Sequence, residues 1–165
     1  MSDNALTASL QPVPSGDWIV TDYQETPTRD GAAFTATLHH NGSPVGAVEN
    51  RGRGGATVIR WNPGTDAAGE WDTWAADFAA LDTNPYRGLP AEEAAIEALA
   101  DDAFTRADLV NASRDGLVVL PKGASSPADG ISVVRGLRAD RAADRAGVDA
   151  AFDRYFDGIG WQPLH

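Results

Sequence analysis

The sequence predicts an α+β fold, a single domain with an antiparallel meander sheet of five or six strands and helices packed mainly on one face. Three observations carry this. Alternating apolar runs flank Asn41-Gly42, the dipeptide best suited to a two-residue hairpin turn. Trp71, Trp74, Phe78 and Leu81 recur at helical spacing. Strand-like and helix-like stretches are grouped and do not alternate regularly, which is an α+β pattern.

Residues 1–16 are polar and contain Pro12 and Pro14, so a flexible N-terminal tail is expected, followed by one α+β domain over 17–165. Trp18–Tyr23 (WIVTDY) is β-rich and reads as the first strand, with a turn region over 24–31. The meander then fills 33–61. A two-residue turn at Asn41-Gly42 sets Leu38 opposite Val45, Ala36 opposite Ala47 and Phe34 opposite Glu49. The Gly-rich turn Arg51-Gly52-Arg53-Gly54-Gly55 leads into a third strand over 56–61, and Asn62-Pro63-Gly64 ends it.

A first helix is expected over 66–81, capped by Thr65 or Asp66, with Glu70 and Asp72 complementing its positive end. Asn84-Pro85 and Gly88-Leu89-Pro90 break the chain, and Pro90 suits the start of a second helix over 91–111. Ile96, Leu99, Ala103, Ala107 and Val110 form its expected inner stripe. Leu117–Leu120 (LVVL) is apolar throughout and fits a central strand; Ile131–Arg135 returns after a loop. A third helix is expected over 139–156, with Val148, Phe152 and Tyr155 inward.

Of 165 residues 24 are acidic and 13 basic, a net charge of −11. The distribution is sharper than the total: residues 62–112 hold eleven acids against two bases, so this third carries −9. Such a balance argues against nucleic-acid binding, which needs basic residues along the phosphate track, and favours a basic partner or a solvated surface. The chain has no cysteine, which excludes disulfides, thiol nucleophiles and Cys-ligated zinc. Neither a signal-peptide pattern nor a membrane-length apolar run is present, so a cytoplasmic location without a membrane partner is expected.

Two clusters are the candidate sites. In Arg51, Gly52, Arg53, Gly54 and Gly55, successive backbone N–H groups can converge on an anion while the guanidinium groups fork onto phosphate oxygens. The same letters also suit a positive-φ turn with exposed arginines, and no phosphate-loop pattern accompanies them. Glu93, Glu97 and Asp101 repeat every fourth residue, a like-charge arrangement that a basic partner surface would relieve. His39 and His40 point to opposite faces of a strand and cannot share one metal ion. No nucleophile–base spacing, metal motif or cofactor motif is found.

From Phe34 to Trp61 the chain resembles small, mostly uncharacterised bacterial and bacteriophage proteins in which a hairpin–GRGG–strand meander precedes helices. The letters that carry this are Val48, Asn50 and Gly52-Arg53-Gly54-Gly55. The resemblance implies a phage or mobile-element setting, in which small acidic proteins act by binding and blocking, and it implies no catalytic residues.

Three functions follow as expectations. The first is a non-enzymatic acidic protein that engages or blocks a basic macromolecular partner through Glu93, Glu97 and Asp101. The second is a binder of a phosphate-bearing, nucleotide-like small molecule at Arg51–Gly55. The third, a carboxylate- and metal-dependent hydrolase, has no supporting spacing.

Overall fold

The computed structural model describes residues 5–148 and 150–164 and shows an α+β fold. Its strands form two four-stranded antiparallel sheets instead of the single sheet expected, plus a two-residue ladder of β1 (Ala5–Leu6) with β2 (Pro12–Val13). The contacts gather into two compact units, one formed chiefly by residues 13–103 and the other by 6–12 with 104–164.

The first unit holds the meander. β3 (Trp18–Thr28), β4 (Gly31–His40), β5 (Ser43–Asn50) and β6 (Val58–Trp61) lie side by side in chain order. β3 is longer than expected. After a bulge at Asp22 it pairs with β4 as far as Thr28, and Pro27 is tolerated because β3 is an edge strand. Asn41 and Gly42 both have positive φ, 50° and 78°, as a type I′ hairpin turn requires.

The hairpin's register differs from expectation. A bulge between Leu38 and His39 shifts the pairs to Leu38–Gly46, Ala36–Val48 and Phe34–Asn50. The extra residue lets Val45 and Gly46 both turn inward, and it sets the larger Val48 opposite Ala36.

α1 (Ala68–Ala79) and the part of α2 (Ala91–Ser113) up to Ala103 cover one face of this sheet. Trp71, Trp74 and Phe78 of α1, with Ile96 and Leu99 of α2, pack on Trp18, Val20, Leu38 and Val48. Thr65 does bond at the start of α1, where its hydroxyl oxygen accepts from the Ala67 N–H at 3.3 Å. Leu81 falls after the helix and is half-buried.

The second unit is built on β7 (Gly116–Pro121), whose Leu117, Val118, Val119 and Leu120 are buried, as an apolar central strand should be. Its neighbours are β8 (Ser132–Arg135) and β9 (Phe152–Phe156), and β10 (Trp161–Pro163) pairs outside β9. The expected third helix shrinks to α3 (Ala142–Ala146), with Asp149 outside the described residues. Phe152, Tyr155 and Phe156 instead join the sheet, Tyr155 opposite Val119 and Phe152 opposite Pro121. β7 needs a partner on its second edge, and aromatic side chains suit that pleated surface.

The inner stripe expected for α2 also fails in its second half. Ala107 is exposed, and Leu109 is buried with Val118, Leu120 and Phe156.

The flexible tail is corrected too, although residues 1–4 lie outside the described residues. Ala8, Leu10 and Val13 are buried, and the indole N–H of Trp161 donates to the Ala8 carbonyl at 2.6 Å. These scattered apolar residues found a core to join, which short-range composition does not reveal.

Candidate functional site

The candidate site forms where β5 ends. Asn50 folds its side chain back on the turn: its Oδ1 accepts from the Gly52 N–H at 2.8 Å. Its Nδ2 donates to the hydroxyl of the buried Thr57 at 2.8 Å. The Gly52 carbonyl in turn accepts from the Thr28 hydroxyl at 2.6 Å. Gly52 has a φ of 64°, and a Cβ there would lie 2.6 Å from the Ala33 nitrogen, so the turn rests directly on β4. Gly54 and Gly55 are exposed, with open space around them.

This anchoring leaves Arg51 and Arg53 exposed at the mouth of a cleft of about 410 Å³. Neither guanidinium has a carboxylate partner among the described residues. Gln24 and Thr26 of β3 and Thr35 of β4 supply polar groups. Gln24, Thr35 and Glu49 form one cross-strand row on the face away from the core. Glu49 would repel an anion, but the Arg60 Nε holds its carboxylate at 2.6 Å.

Arg51 and Arg53 both line this cleft. The Gly52 N–H is taken by Asn50 and is not available to an anion. Gln24, Thr26 and Thr35 were missed by sequence reasoning, and the alternation of exposed polar residues along β3 and β4 was the one available signal. The position of Asn50, two residues before Gly52, is that of an Asx turn.

The acidic residues of α2 have internal partners. The Thr57 hydroxyl donates to Glu97 Oε1 at 3.3 Å, and the Tyr86 hydroxyl donates to Asp101. Glu93 and Glu97 are half-buried, and Asp101 is exposed. Burial pushes the Glu97 carboxyl pKa up against the opposing Thr57 hydrogen bond, and the charges of Asp101 and Glu93 add to the rise. Burial, followed by the hydrogen bond to a carboxylate, also raises Tyr23, which donates to Glu25, and Tyr86.

No protein-family model matches the chain, and neither a curated protein nor a solved structure matches it.

The other unit contains a larger cleft of about 630 Å³, rimmed by Arg114, Arg138, Asp140 and Asp157. Most of its charge is committed internally. Arg138 bonds Asp140 at 3.1 Å, and Asp157 accepts from Ile159, Gly160 and Gln162. His39 contacts the Thr21 hydroxyl, while His40 stacks on Trp18 and lies 3.5 Å from Glu70. No group of three or more potential metal ligands occurs among the described residues, and no described helix is long and apolar enough to cross a membrane.

Proposed function

We propose that this protein is a non-enzymatic binder of a small phosphate-bearing anion, which it holds in the cleft between the Arg51–Gly55 turn and the ends of β3 and β4. The observation that carries this reading is the pair Arg51 and Arg53, two exposed guanidinium groups beside a polar cleft, neither with a carboxylate partner among the described residues. Arg60, on the adjacent strand, is tied to Glu49 at 2.6 Å and offers the contrast. A guanidinium fork matches phosphate oxygens in pairs, and Thr26, Thr35 and Gln24 add neutral donors that do not repel the anion. A volume of about 410 Å³ falls within the range of small-ligand clefts.

The acidic face of α2 supports a basic macromolecular partner less well. Thr57 and Tyr86 already occupy Glu97 and Asp101, so the clustered acids have a use within the chain itself.

The test is a thermal-shift and calorimetric titration with inorganic phosphate and nucleoside phosphates. The parent should be stabilised, less so as salt rises. Arg51→Ala with Arg53→Ala should lose that stabilisation while melting like the unliganded parent. Equal stabilisation of parent and double variant would place the site elsewhere.

A further inference from the structure

We infer that Thr57 and Glu97 are positioning residues for anion binding, together holding the Arg51–Gly55 turn through Asn50; this rests on the reading of the cleft as the anion site. The geometry is a continuous chain of donors and acceptors. The Glu97 carboxylate accepts from the Thr57 hydroxyl at 3.3 Å. Thr57 accepts from Asn50 Nδ2 at 2.8 Å, and Asn50 Oδ1 accepts from the Gly52 N–H at 2.8 Å.

Each link sets the direction of the next. A hydroxyl has one hydrogen, and a carboxylate can only accept, so Glu97 draws that hydrogen towards α2. The oxygen of Thr57 is then left as an acceptor, which selects the amide orientation of Asn50 with Nδ2 towards Thr57. Oδ1 is thereby turned towards Gly52, the residue between the two arginines. Thr57 is 4 % exposed, so water does not substitute freely for a lost partner.

The hydrogen-bond chain joins the Arg51–Gly55 turn to the stacked acids of α2 across the forty positions between Thr57 and Glu97, stretches that look unrelated in the sequence. It also gives one of the stacked acids of α2 a specific task. The 3.3 Å link is long for an O–H···O hydrogen bond, so Thr57 should matter more than Glu97.

The experiment compares Thr57→Val, Thr57→Ser, Glu97→Ala and Glu97→Gln with the parent in the full chain. Two readings are taken: calorimetric affinity for inorganic phosphate and hydrogen exchange at the Gly52 amide by NMR. Thr57→Val should weaken phosphate binding by up to roughly tenfold, the equivalent of about one hydrogen bond. It should also speed Gly52 exchange, and Thr57→Ser should restore both. Glu97→Ala should give a smaller loss, and Glu97→Gln, which keeps a carbonyl acceptor, should restore it.

A merely structural Thr57 would lower the melting temperature and leave the affinity of the folded protein unchanged, which overturns the inference. Gly52 exchange as slow in Thr57→Val as in the parent overturns it as well. If the parent shows no phosphate binding, the cleft reading fails and the binding role falls with it, while Gly52 exchange still decides the hydrogen-bond chain. Should Thr57→Val not fold, the pair Glu97→Ala and Glu97→Gln tests the same hydrogen-bond chain from its half-buried end: a loss in the first restored in the second supports it, and parent-like binding and exchange in both overturn it.

Discussion

The indole N–H of Trp74 donates to the carbonyl of Pro14 at 3.2 Å, across sixty positions of sequence. Trp71 stacks on Trp74 with ring centroids 5.5 Å apart, yet its own buried indole N–H has no acceptor among the described residues. The two tryptophans of one helical stripe are therefore not equivalent. Trp74→Phe removes a satisfied hydrogen bond and orphans a carbonyl, whereas Trp71→Phe removes a donor that was already unpaired. Both leave space behind, but Trp74→Phe should be the more destabilising by about 1–3 kcal/mol. Urea unfolding of the two variants checks this, and the reverse order would show that Trp71 has a partner in solution.

Gly52 combines a φ of 64° with backbone atoms of Ala32 and Ala33 within 3 Å of any Cβ placed there. Gly54 has a similar φ, 74°, but open space. Gly54→Ala should cost about 1–2 kcal/mol, the usual penalty for an L-residue in the left-handed region. Gly52→Ala adds steric overlap with β4 and should cost clearly more, detaching the turn. Equal melting temperatures for the two variants would mean that the turn is not seated on β4.

Mild acid should stabilise this protein. Glu97, raised chiefly by its burial, keeps its proton in the folded chain at pH values where the unfolded chain has lost it. Stability therefore rises as pH falls through the folded pKa and levels off near the ordinary glutamate value of 4.5. Glu92, raised by its burial and by Asp72, acts in the same direction. Further acidification reverses the trend. Asp129, lowered by hydrogen bonds from Ser125 and Ser126, and Asp140, lowered by Arg138, lose their favourable contacts on protonation. Melting temperatures across this range should pass through a maximum, and Glu97→Gln should melt higher at neutral pH with a weaker rise on acidification. A parent curve that falls steadily from neutral pH would contradict this.

At the alkaline end, Tyr23 and Tyr86 should ionise late. Burial and hydrogen bonds to Glu25 and Asp101 respectively hold their pKa values above the ordinary tyrosine range. The unfolded chain releases these protons near pH 10, so stability falls as pH rises beyond that point. Tyrosinate absorbance from the two residues should appear together with loss of structure, and Tyr86→Phe should remove part of the alkaline loss. Ionisation of both tyrosines in a fully folded protein would refute the argument.

Wherever neighbouring residues carry the information, the sequence was legible. Asn41-Gly42 specified its turn, the tryptophan stripe specified α1, and Leu117–Leu120 specified a central strand. The exposure of Arg51 and Arg53 could be read in the same way, since a Gly-rich turn displays its flanking side chains. The hairpin register slipped by one because a bulge at Leu38–His39 depends on how Val45 and Gly46 pack, which no turn dipeptide encodes.

Phe152–Phe156 fitted two elements in the sequence, because Val148, Phe152 and Tyr155 suit a helix while Phe152, Arg154 and Phe156 share one face of a strand. The exposed edge of β7 decided between them. Tertiary structure likewise chose two sheets over one and drew Ala8, Leu10 and Val13 out of an expected tail. It also linked Glu97 to Gly52 through Thr57 and Asn50. By itself the sequence determined the turns, the amphipathic stripe and the sign of the charge in each region, since these depend on residues within a few positions of each other. Pairing edges, burying a tail and satisfying a carboxylate from a distant hydroxyl depend on which surfaces meet, and only the folded chain brings those surfaces together.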